Sequence, residues 1–277
     1  MDSRPVSAIP DYNNLDLSGE ARWAAERMEA RAQEPASEAM FQELVASLIF
    51  NETRSVLEVG CGTAGLARRI AAFAPGARVL ATDKSAGMLQ VAKVLADKEG
   101  LKNIAIEPWD VLQDEAFPAK DTAFDLIVSS VMVPYIEEAQ IEDLIARLAK
   151  RLQRGGVLAF LEMDWMTDSV NDPSGLFLRI MEKDKRPANT NRSYGGLRRV
   201  LRQAGLELLP RRSFLWTDDH YGAYTREFLP RAADSAITKG SISAEEAARF
   251  KESLSQAAAT GDFYYSIVYH RVAGRRK

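Results

Sequence analysis

The sequence has very few of the residues that hold metals or form disulfides. Cys61 is the single cysteine among 277 residues, and the histidines are His220 and His270. A lone cysteine excludes an intramolecular disulfide framework and any zinc or iron–sulfur site built from cysteines. Two histidines nearly exclude a multi-histidine site as well. We therefore expect no metal.

Long apolar runs and an excess of charge are also missing. Stretches such as Val157–Leu161 fall far short of the ~20 residues that span a bilayer, and the N-terminus lacks the apolar core of a secretory signal. With 36 basic and 39 acidic residues the net charge is −3, so no global charge attracts nucleic acid. We expect a cytoplasmic monomer or homodimer that acts on a small molecule and binds neither nucleic acid nor membrane.

The residues that are present alternate between strand-like and helix-like segments. Apolar residues make up 46% of the chain and charged residues 27%, as in a globular protein with an ample core. The predicted strands are Ser55–Val59, Arg78–Thr82, Ile104–Glu107, Phe124–Ser129, Val157–Glu162, Glu207–Trp216 and Phe263–Val272. The helices predicted between them are Gly65–Phe73, Met88–Glu99, Ile141–Leu152, Leu176–Lys185 and Leu197–Ala204. This alternation predicts an α/β fold with a doubly wound, Rossmann-like, mainly parallel seven-stranded sheet.

Helical segments outside this alternation predict a lid and a cap. Residues 18–50 have helical spacing interrupted at Pro35, which predicts two N-terminal helices. Residues 219–260 are mostly helical and lie between two strands, so we expect an insertion that caps the sheet. We divide the chain into an N-terminal arm and lid (1–50), an α/β core (51–165) and the rest of the sheet with its cap (166–277), all in one catalytic domain.

The densest motif is a glycine turn after the first strand. Gly60 permits a backbone turn that is closed to other residues, and Gly62 lets the chain approach a ligand without a Cβ in the way. The second strand ends in Asp83, and an acid at that position can accept both ribose hydroxyls of an adenosine. That pattern fits a nicotinamide cofactor and S-adenosylmethionine alike, although the glycine spacing matches the dinucleotide fingerprint poorly.

Five segments in order carry a resemblance to a known family. They are Glu58-Val59-Gly60-Cys61-Gly62-Thr63, Asp83-Lys84-Ser85 with Met88-Leu89, Trp109-Asp110-Val111, Phe124-Asp125-Leu126-Ile127-Val128-Ser129, and Leu152-Gln153-Arg154-Gly155-Gly156-Val157-Leu158. Across about residues 51–165 the chain closely resembles the class I S-adenosylmethionine-dependent methyltransferases. Later segments, such as Leu161-Glu162-Met163-Asp164-Trp165, are similar to the branch that methylates quinones and natural products.

The resemblance implies a set of residues that bind S-adenosylmethionine. Glu58 would order the glycine loop and face the methionine amino group, with the backbone of Gly60, Cys61 and Gly62 beside the methionine. The adenosine would be bound by Asp83 at the ribose and by Lys84, Met88, Asp110 and Val111 around the adenine. The segment from Ser129 to Met132 would surround the sulfonium. We also expect Arg31 to pair with the methionine carboxylate.

Candidates for the acceptor side are less specific. An acceptor proton would need a base only for some substrates, and the candidates for catalysis are Asp164, Tyr135 and His220. Tyr135 stands where many close relatives carry histidine. The candidates for the substrate pocket are Tyr12 and Trp23 in the arm and lid, Trp165 after the fifth predicted strand, and Asn191 and Tyr194 before a glycine pair. For each of these residues the alternative is a structural role, as a solvent-exposed surface side chain or as part of the core.

These observations leave more than one function open. The first hypothesis is transfer of a methyl group to an oxygen, nitrogen or carbon of a small metabolite. The alternative is a protein of the same fold that binds S-adenosylmethionine without methylating, such as a cyclase or sensor. A nucleotide-dependent oxidoreductase fits less well because of the glycine spacing, and a macromolecular methyltransferase fits less well because of the near-neutral charge.

Overall fold

The computed structural model describes residues 9–49, 53–113, 117, 119, 122–182 and 194–277. The helices are α1 (Leu15–Ser18), α2 (Ala21–Ala32), α3 (Pro35–Leu48), α4 (Gly65–Phe73), α5 (Ala86–Lys98), α6 (Ile141–Lys150), α7 (Phe177–Met181), α8 (Tyr194–Gln203), α9 (Ala223–Thr238) and α10 (Ala244–Thr260). The strands are β1 (Ser55–Val59), β2 (Arg78–Asp83), β3 (Ile104–Pro108), β4 (Phe124–Ser130), β5 (Leu152–Val170), β6 (Glu207–Leu208), β7 (Arg212–Asp218) and β8 (Tyr265–Arg275).

The strands form one mixed sheet in the order β3-β2-β1-β4-β5-β8-β6, and β7 also pairs with β8. Strands β1 to β5 run parallel to their neighbours, while β8 is antiparallel to β5, β6 and β7. This arrangement confirms the Rossmann-like, mainly parallel fold. The order reverses beside β1, and open α/β sheets bind ligands at the carboxyl ends of their strands at such a point.

The sheet has eight strands rather than the seven that we predict. The segment predicted as one strand, Glu207–Trp216, is two strands with Pro210 between them. Proline has no backbone N–H to donate to a ladder, so the pairing with β8 lapses there and resumes at Arg212. The fifth strand is much longer than predicted, and the part of the predicted helix Leu176–Lys185 beyond residue 182 lies outside the described residues.

Helices cover both faces of the sheet because the central strands are apolar on both sides. Every residue of β1 is buried, as is usual for a strand inside a parallel sheet. Val56 joins the core formed with α3, α4, α9 and α10, whereas Leu57 faces the core formed with α6 and α8. Among the described residues, no helix is long and apolar enough to cross a membrane.

The N-terminal helices lie against both the core and the C-terminal helices. Pro35 begins α3, where its missing N–H is not needed, and so separates α2 from α3 as predicted. Asp16 in α1 caps α5, accepting hydrogen bonds from Ser85 Oγ and Ala86 N at 2.8 Å. These contacts hold the N-terminal segment over the carboxyl ends of β1 and β2.

Helices α9 and α10 occupy the predicted helical block between β7 and β8. Phe228 of α9 and Phe250 of α10 are fully buried against the sheet. Ser243 begins α10 with a capping box in which its side chain accepts from the Glu246 backbone while the Glu246 carboxylate accepts from the Ser243 backbone. Helix α9 also contacts α2 through the ion pair between Arg27 and Glu227, which joins the two ends of the chain.

Candidate functional site

A cavity opens where the carboxyl ends of β1, β2 and β4 meet. The glycine loop after β1 forms its floor, with a φ of 63° at Gly60 and 55° at Gly62. A Cβ at Gly60 would come within 2.6 Å of Met132 Cγ, and one at Gly62 within 2.8 Å of Met28 Sδ. The left-handed backbone and the lack of space therefore both require glycine at these two positions.

Asp83 ends β2 and joins it to this loop. Its Oδ2 accepts the Gly62 N–H at 2.8 Å, and its Oδ1 accepts the Ser85 N–H at 2.9 Å. Burial raises the pKa of the Asp83 carboxyl, although these backbone donors oppose the rise. A carboxylate has about four acceptor positions. Two therefore remain to accept the pair of ribose hydroxyls that an adenosine presents.

Glu58 lies beneath the loop rather than on the cavity wall. Its Oε2 accepts the Ala67 N–H at 2.8 Å, which fastens β1 to the first turn of α4. Burial raises the pKa of Glu58 to about 8. A buried carboxyl of this kind favours a positively charged partner, as an amino group would be. The Cys61 side chain points into the core, and only its backbone belongs to the loop.

The segment after β3 forms the wall on the side of β2. Lys84, Met88, Asp110 and Val111 all line the cavity here, where the resemblance places an adenine. Asp110 Oδ1 accepts the Leu112 N–H at 3.0 Å, which turns the chain and leaves the carboxylate at the cavity. Trp109 also lines the cavity and packs edge-on against Phe117, so it serves the pocket and the core together.

Beyond β4, the wall begins one residue later than we predict. Ser130, Val131 and Met132 line the cavity, whereas Ser129 is fully buried within the sheet. Its hydroxyl has no hydrogen-bond partner among the described residues. Strand β4 extends to Ser130, so the chain turns into the cavity only after that residue. Ser129 therefore lies inside the sheet next to the cavity wall, and its role in binding the cofactor stays a prediction.

The arm and the loop after β4 meet over the cavity. Tyr12 and Tyr135 both line it, and their ring centroids are 4.8 Å apart. Met28 of α2 closes the same side. Trp23, predicted at the pocket, instead donates from Nε1 to Glu227 at 3.0 Å and holds α2 against α9. Its position on α2 turns it away from the cavity.

Arg31 lies on the same face of α2 as Met28, one turn further along the helix. It does not line the cavity itself. Its Nη1 donates to Met163 Sδ at 3.3 Å, and its guanidinium carbon is 5.8 Å from the centroid of the Tyr224 ring. The side chain thus extends towards β5 and α9 rather than towards the glycine loop, where a methionine carboxylate is expected.

Two further candidates lie together on the antiparallel side of the sheet. Asp164 Oδ2 is 3.3 Å from His270 Nε2, and His270 Nδ1 is 2.8 Å from Ser213 Oγ. The Tyr194 ring packs on His270 with centroids 4.7 Å apart. Cross-strand pairing of β5, β7 and β8 brings these residues together. They do not line the cavity, so neither Asp164 nor Tyr194 faces the cofactor wall.

The remaining candidates either pack against side chains outside the cavity or lie outside the described residues. Trp165 packs against Phe228 of α9 with ring centroids 6.2 Å apart, and Asn191 lies outside the described residues. His220 is away from the cavity: its Nε2 is 3.0 Å from Glu34 and its Nδ1 is 3.2 Å from Asp218. Of the three residues predicted for catalysis, the structure therefore brings Tyr135 alone to the cavity.

His220 joins the α2–α3 connection to the segment before α9. Burial lowers the pKa of His220, but Asp218, Asp219 and Glu34 outweigh it and the pKa is raised overall. The ligand atoms of Glu34, Asp218 and His220 lie within 4.8 Å of one another, a spacing that a metal ion could also use. Because a carboxylate already lies beside each imidazole nitrogen, we interpret the group as an imidazolium bridging acids.

Several residues of the site escape sequence reasoning. Met28 and Asn13 line the cavity, and Tyr224 and Tyr269 surround Arg31. Met28 has a usable signal, since it lies three residues before Arg31 on one helix face. The tyrosines have none, because their approach to Arg31 depends on how α9 and β8 pack.

Comparison with known proteins agrees with this geometry. Residues 56–156 match the family described as "Methyltransferase domain". Trans-aconitate 2-methyltransferase of Variovorax paradoxus is 31% identical over 140 residues, which cover 50% of this chain and 49% of that protein. The chain thus spans about half the length of this curated relative.

Two solved structures share the fold. Haemonchus contortus Phospholethanolamine N-methyltransferase 2, in complex with phosphomonomethylethanolamine and S-adenosylhomocysteine, is 15% identical with a TM-score of 0.58, covering 97% of this chain and 60% of that one. The cyclase SpnF is 20% identical with a TM-score of 0.51, covering 87% and 80%. Residues 56–156 therefore match a methyltransferase domain, and the two structures show that the chain shares the fold of these proteins.

Proposed function

We propose that this protein transfers a methyl group from S-adenosylmethionine to a small-molecule acceptor. The observation that carries the proposal is the cavity in which the glycine loop, the carboxylate of Asp83 and the Asp110 turn converge. Its floor has no room for a Cβ, and its half-buried acids Asp83 and Asp110 suit ribose and adenine. The residues present therefore fit the cofactor of the family.

Particular groups would hold each part of that cofactor. Gly60 and Gly62 would lie along the methionine, Glu58 would compensate its amino group from below, and Asp83 would accept from the ribose. Asp110 and Val111 would bind the adenine between Lys84 and Met88. The bound cofactor supplies a methyl group already activated on a sulfonium.

The chain itself contributes alignment and exclusion of water. Tyr12 and Met28 close the cavity from the N-terminal side, and Tyr135 stands at the exit of the β4 wall, where it would orient the acceptor. Holding two reactants in line contributes on the order of 7–11 kcal/mol in favourable cases. In-line displacement needs a base only when the acceptor must lose a proton, and His220 is too far from the cavity to supply one.

The size of the acceptor, the domain organisation and the setting of the protein belong to the same proposal. The α2 and α9 helices meet beside the cavity, which favours a small acceptor over a macromolecule. We propose a single catalytic domain in which residues 166–277 complete the sheet and supply the cap. The cytoplasmic location, the monomeric or dimeric state and the lack of nucleic-acid and metal partners remain predictions from composition.

The cofactor assignment is tested by Asp83→Ala. We expect the dissociation constant for S-adenosylhomocysteine, measured by calorimetry, to rise about 100-fold, because two hydrogen bonds to a charged acceptor contribute about 1.5 kcal/mol each. Asp125→Ala is the matched control. Asp125 also accepts two backbone N–H groups, from Arg54 and Ser55. It lies near the amino end of β4, whereas the cavity lies at the carboxyl ends of the strands. Equal affinities for the two variants would contradict the ribose assignment.

Transfer itself is tested with trideuteromethyl-labelled S-adenosylmethionine. The protein is incubated with cell extract and with a panel of phenols, quinones, amines and carboxylic acids, and the products are searched for one added labelled methyl. A labelled product that disappears with Asp83→Ala supports the proposal. Cofactor binding without any labelled product would instead support the cyclase or sensor.

A further inference from the structure

Helix α2 carries three buried or half-buried charged side chains that differ in their partners. Arg27 forms an ion pair with Glu227 at 2.5 Å, and Glu29 forms one with Arg68 at 2.7 Å. Arg31 has no carboxylate partner within the described part of the chain. Its described hydrogen bond goes to the thioether of Met163, which is a weak and neutral acceptor.

The surroundings of Arg31 are mostly aromatic, and its charged neighbour Arg27, which lies over the same Tyr224 ring, is already paired with Glu227. Apart from the cost of burial, the groups that act most strongly on its charge are the hydroxyls of four tyrosines, Tyr269, Tyr224, Tyr12 and Tyr135. Burial raises the pKa of Tyr269 to about 12, so its hydroxyl stays protonated at physiological pH. A guanidinium that has no ion pair of its own, lies beside a second guanidinium and is largely out of water is costly unless an anion completes the site.

The position of this group lies on the acceptor side of the cleft. Met163 belongs to β5 and Tyr269 to β8, whereas the glycine loop and Asp83 follow β1 and β2 on the other side of β4. Tyr12 and Tyr135 connect the two sides, because they line the cofactor cavity and are near enough to Arg31 to act on its charge. A ligand group that reaches Arg31 therefore extends away from the adenosine, past the end of β4.

We propose that Arg31 binds a carboxylate of the methyl acceptor, so that the substrate is a small, flat carboxylic acid. The guanidinium matches a carboxylate with two parallel N–H bonds. The rings of Tyr12 and Tyr135, which line the cavity, provide faces for a planar body. This inference rests on the proposed function, since it names the substrate class of that site.

The test compares benzoate with benzamide, which differ in charge but not in shape. Binding of each is measured by calorimetry to protein saturated with S-adenosylhomocysteine. We expect benzoate to bind at least about tenfold more tightly than benzamide, and we expect Arg31→Gln to abolish that preference while Arg31→Lys retains part of it. Arg22→Gln is the control, because Arg22 is an exposed residue of the same helix.

Three outcomes would overturn the inference: no benzoate binding, equal binding of the two probes, or a preference that survives in Arg31→Gln. A role in binding the methionine carboxylate would appear differently. Arg31→Gln would then weaken S-adenosylhomocysteine but leave 5′-methylthioadenosine, which lacks the amino-acid part, unchanged. We expect both to bind the variant as they bind the parent protein.

The melting temperature of Arg31→Gln distinguishes a role of Arg31 in binding from a purely structural role. An arginine without an ion pair should not be needed for folding, so we expect Arg31→Gln to melt no lower than the parent protein, whereas a structural arginine would lower the Tm. A failure of the proposed function differs from a failure of the inference about Arg31. In the first case S-adenosylhomocysteine would not bind at all, or no labelled product would form with any variant. A labelled product without an anionic group would overturn the substrate class alone.

Discussion

The two sides of the cleft are built by different means. On the cofactor side, the Asp83 carboxylate accepts hydrogen bonds from the backbone N–H groups of Gly62 and Ser85, so neighbouring loops hold one another. On the proposed acceptor side, Arg31 and Met163 meet only because elements distant in the chain pack together. The first side offers a ligand the glycine backbone and carboxylates fixed by local hydrogen bonds, and the second offers side chains fixed by tertiary packing. A fixed cofactor needs the first, and an acceptor that differs between relatives can be accommodated by changing the second.

The largest effect should come from adding a methyl group to the cofactor side. Gly60→Ala would strain a positive φ and push Met132 into the cavity, so we expect unfolding free energy to fall by about 3 kcal/mol and cofactor affinity to fall at least about 100-fold. Gly100→Ala is the matched control. It has a φ of 71° but open space around its Cβ, and it should cost only about 1–2 kcal/mol of stability with cofactor affinity unchanged. Chemical denaturation and calorimetry measure both.

The Gly60 prediction fails if the two glycine variants behave alike. That result would mean that backbone strain alone matters and that the close approach of Met132 does not shape the cavity.

An effect of similar size on stability, but of opposite sign, should follow from Glu58→Gln. The folded pKa of Glu58 is about 8, above the unfolded value near 4.3, so ionising this buried carboxyl destabilises the folded protein increasingly as pH rises between those values. Glutamine keeps an acceptor for the Ala67 N–H without the charge. We expect the ligand-free variant to be more stable by on the order of 3 kcal/mol at pH 8, with little difference near pH 4.

The same substitution should weaken cofactor binding, because the amino group loses its counter-charge. Stability is measured by urea unfolding across the pH range, with the exposed Glu107→Gln as control. A difference that does not grow with pH would show that Glu58 is not a buried acid of raised pKa.

How much of this could be predicted from the sequence differs between the two sides. The strand ends and the glycine turn depend on local spacing, so β1 and α4 begin and end as predicted, and Asp83 lies at the loop. Spacing does not reveal where a strand leaves its sheet, and β4 continues to Ser130, one residue beyond the predicted end. The pairing of Arg31 with the methionine carboxylate stays a prediction, and nothing in its neighbours along the chain reveals Met163 or Tyr224 beside it.

The smallest effect should come from His220, which joins the α2–α3 connection to the segment before α9. Its folded pKa is raised above the unfolded value of about 6.5, so its stabilising contribution is full below that pH and is lost as pH rises through the folded pKa. We expect His220→Gln to lower the Tm at pH 6 and to have less effect at pH 9. The contribution should stay below about 1 kcal/mol, because the imidazole is half exposed and screened by solvent.

Glu34→Gln should lower the Tm over the same pH window, since it removes one of the acids beside the imidazole. A loss of stability from His220→Gln that is constant between pH 6 and pH 9 would contradict the imidazolium bridge.

Helix α2 gives the cleft a thermodynamic property that neither side has alone. Met28 touches the cofactor cavity, and Arg31, one turn later, reaches the acceptor side, so one rigid rod serves both ligands. We expect a cofactor that contacts Met28 to order α2 and thereby to favour the placement of Arg31 that the proposed acceptor needs. Thermodynamic linkage makes this coupling reciprocal. If bound cofactor raises the affinity for the acceptor by some factor, bound acceptor raises the affinity for the cofactor by the same factor.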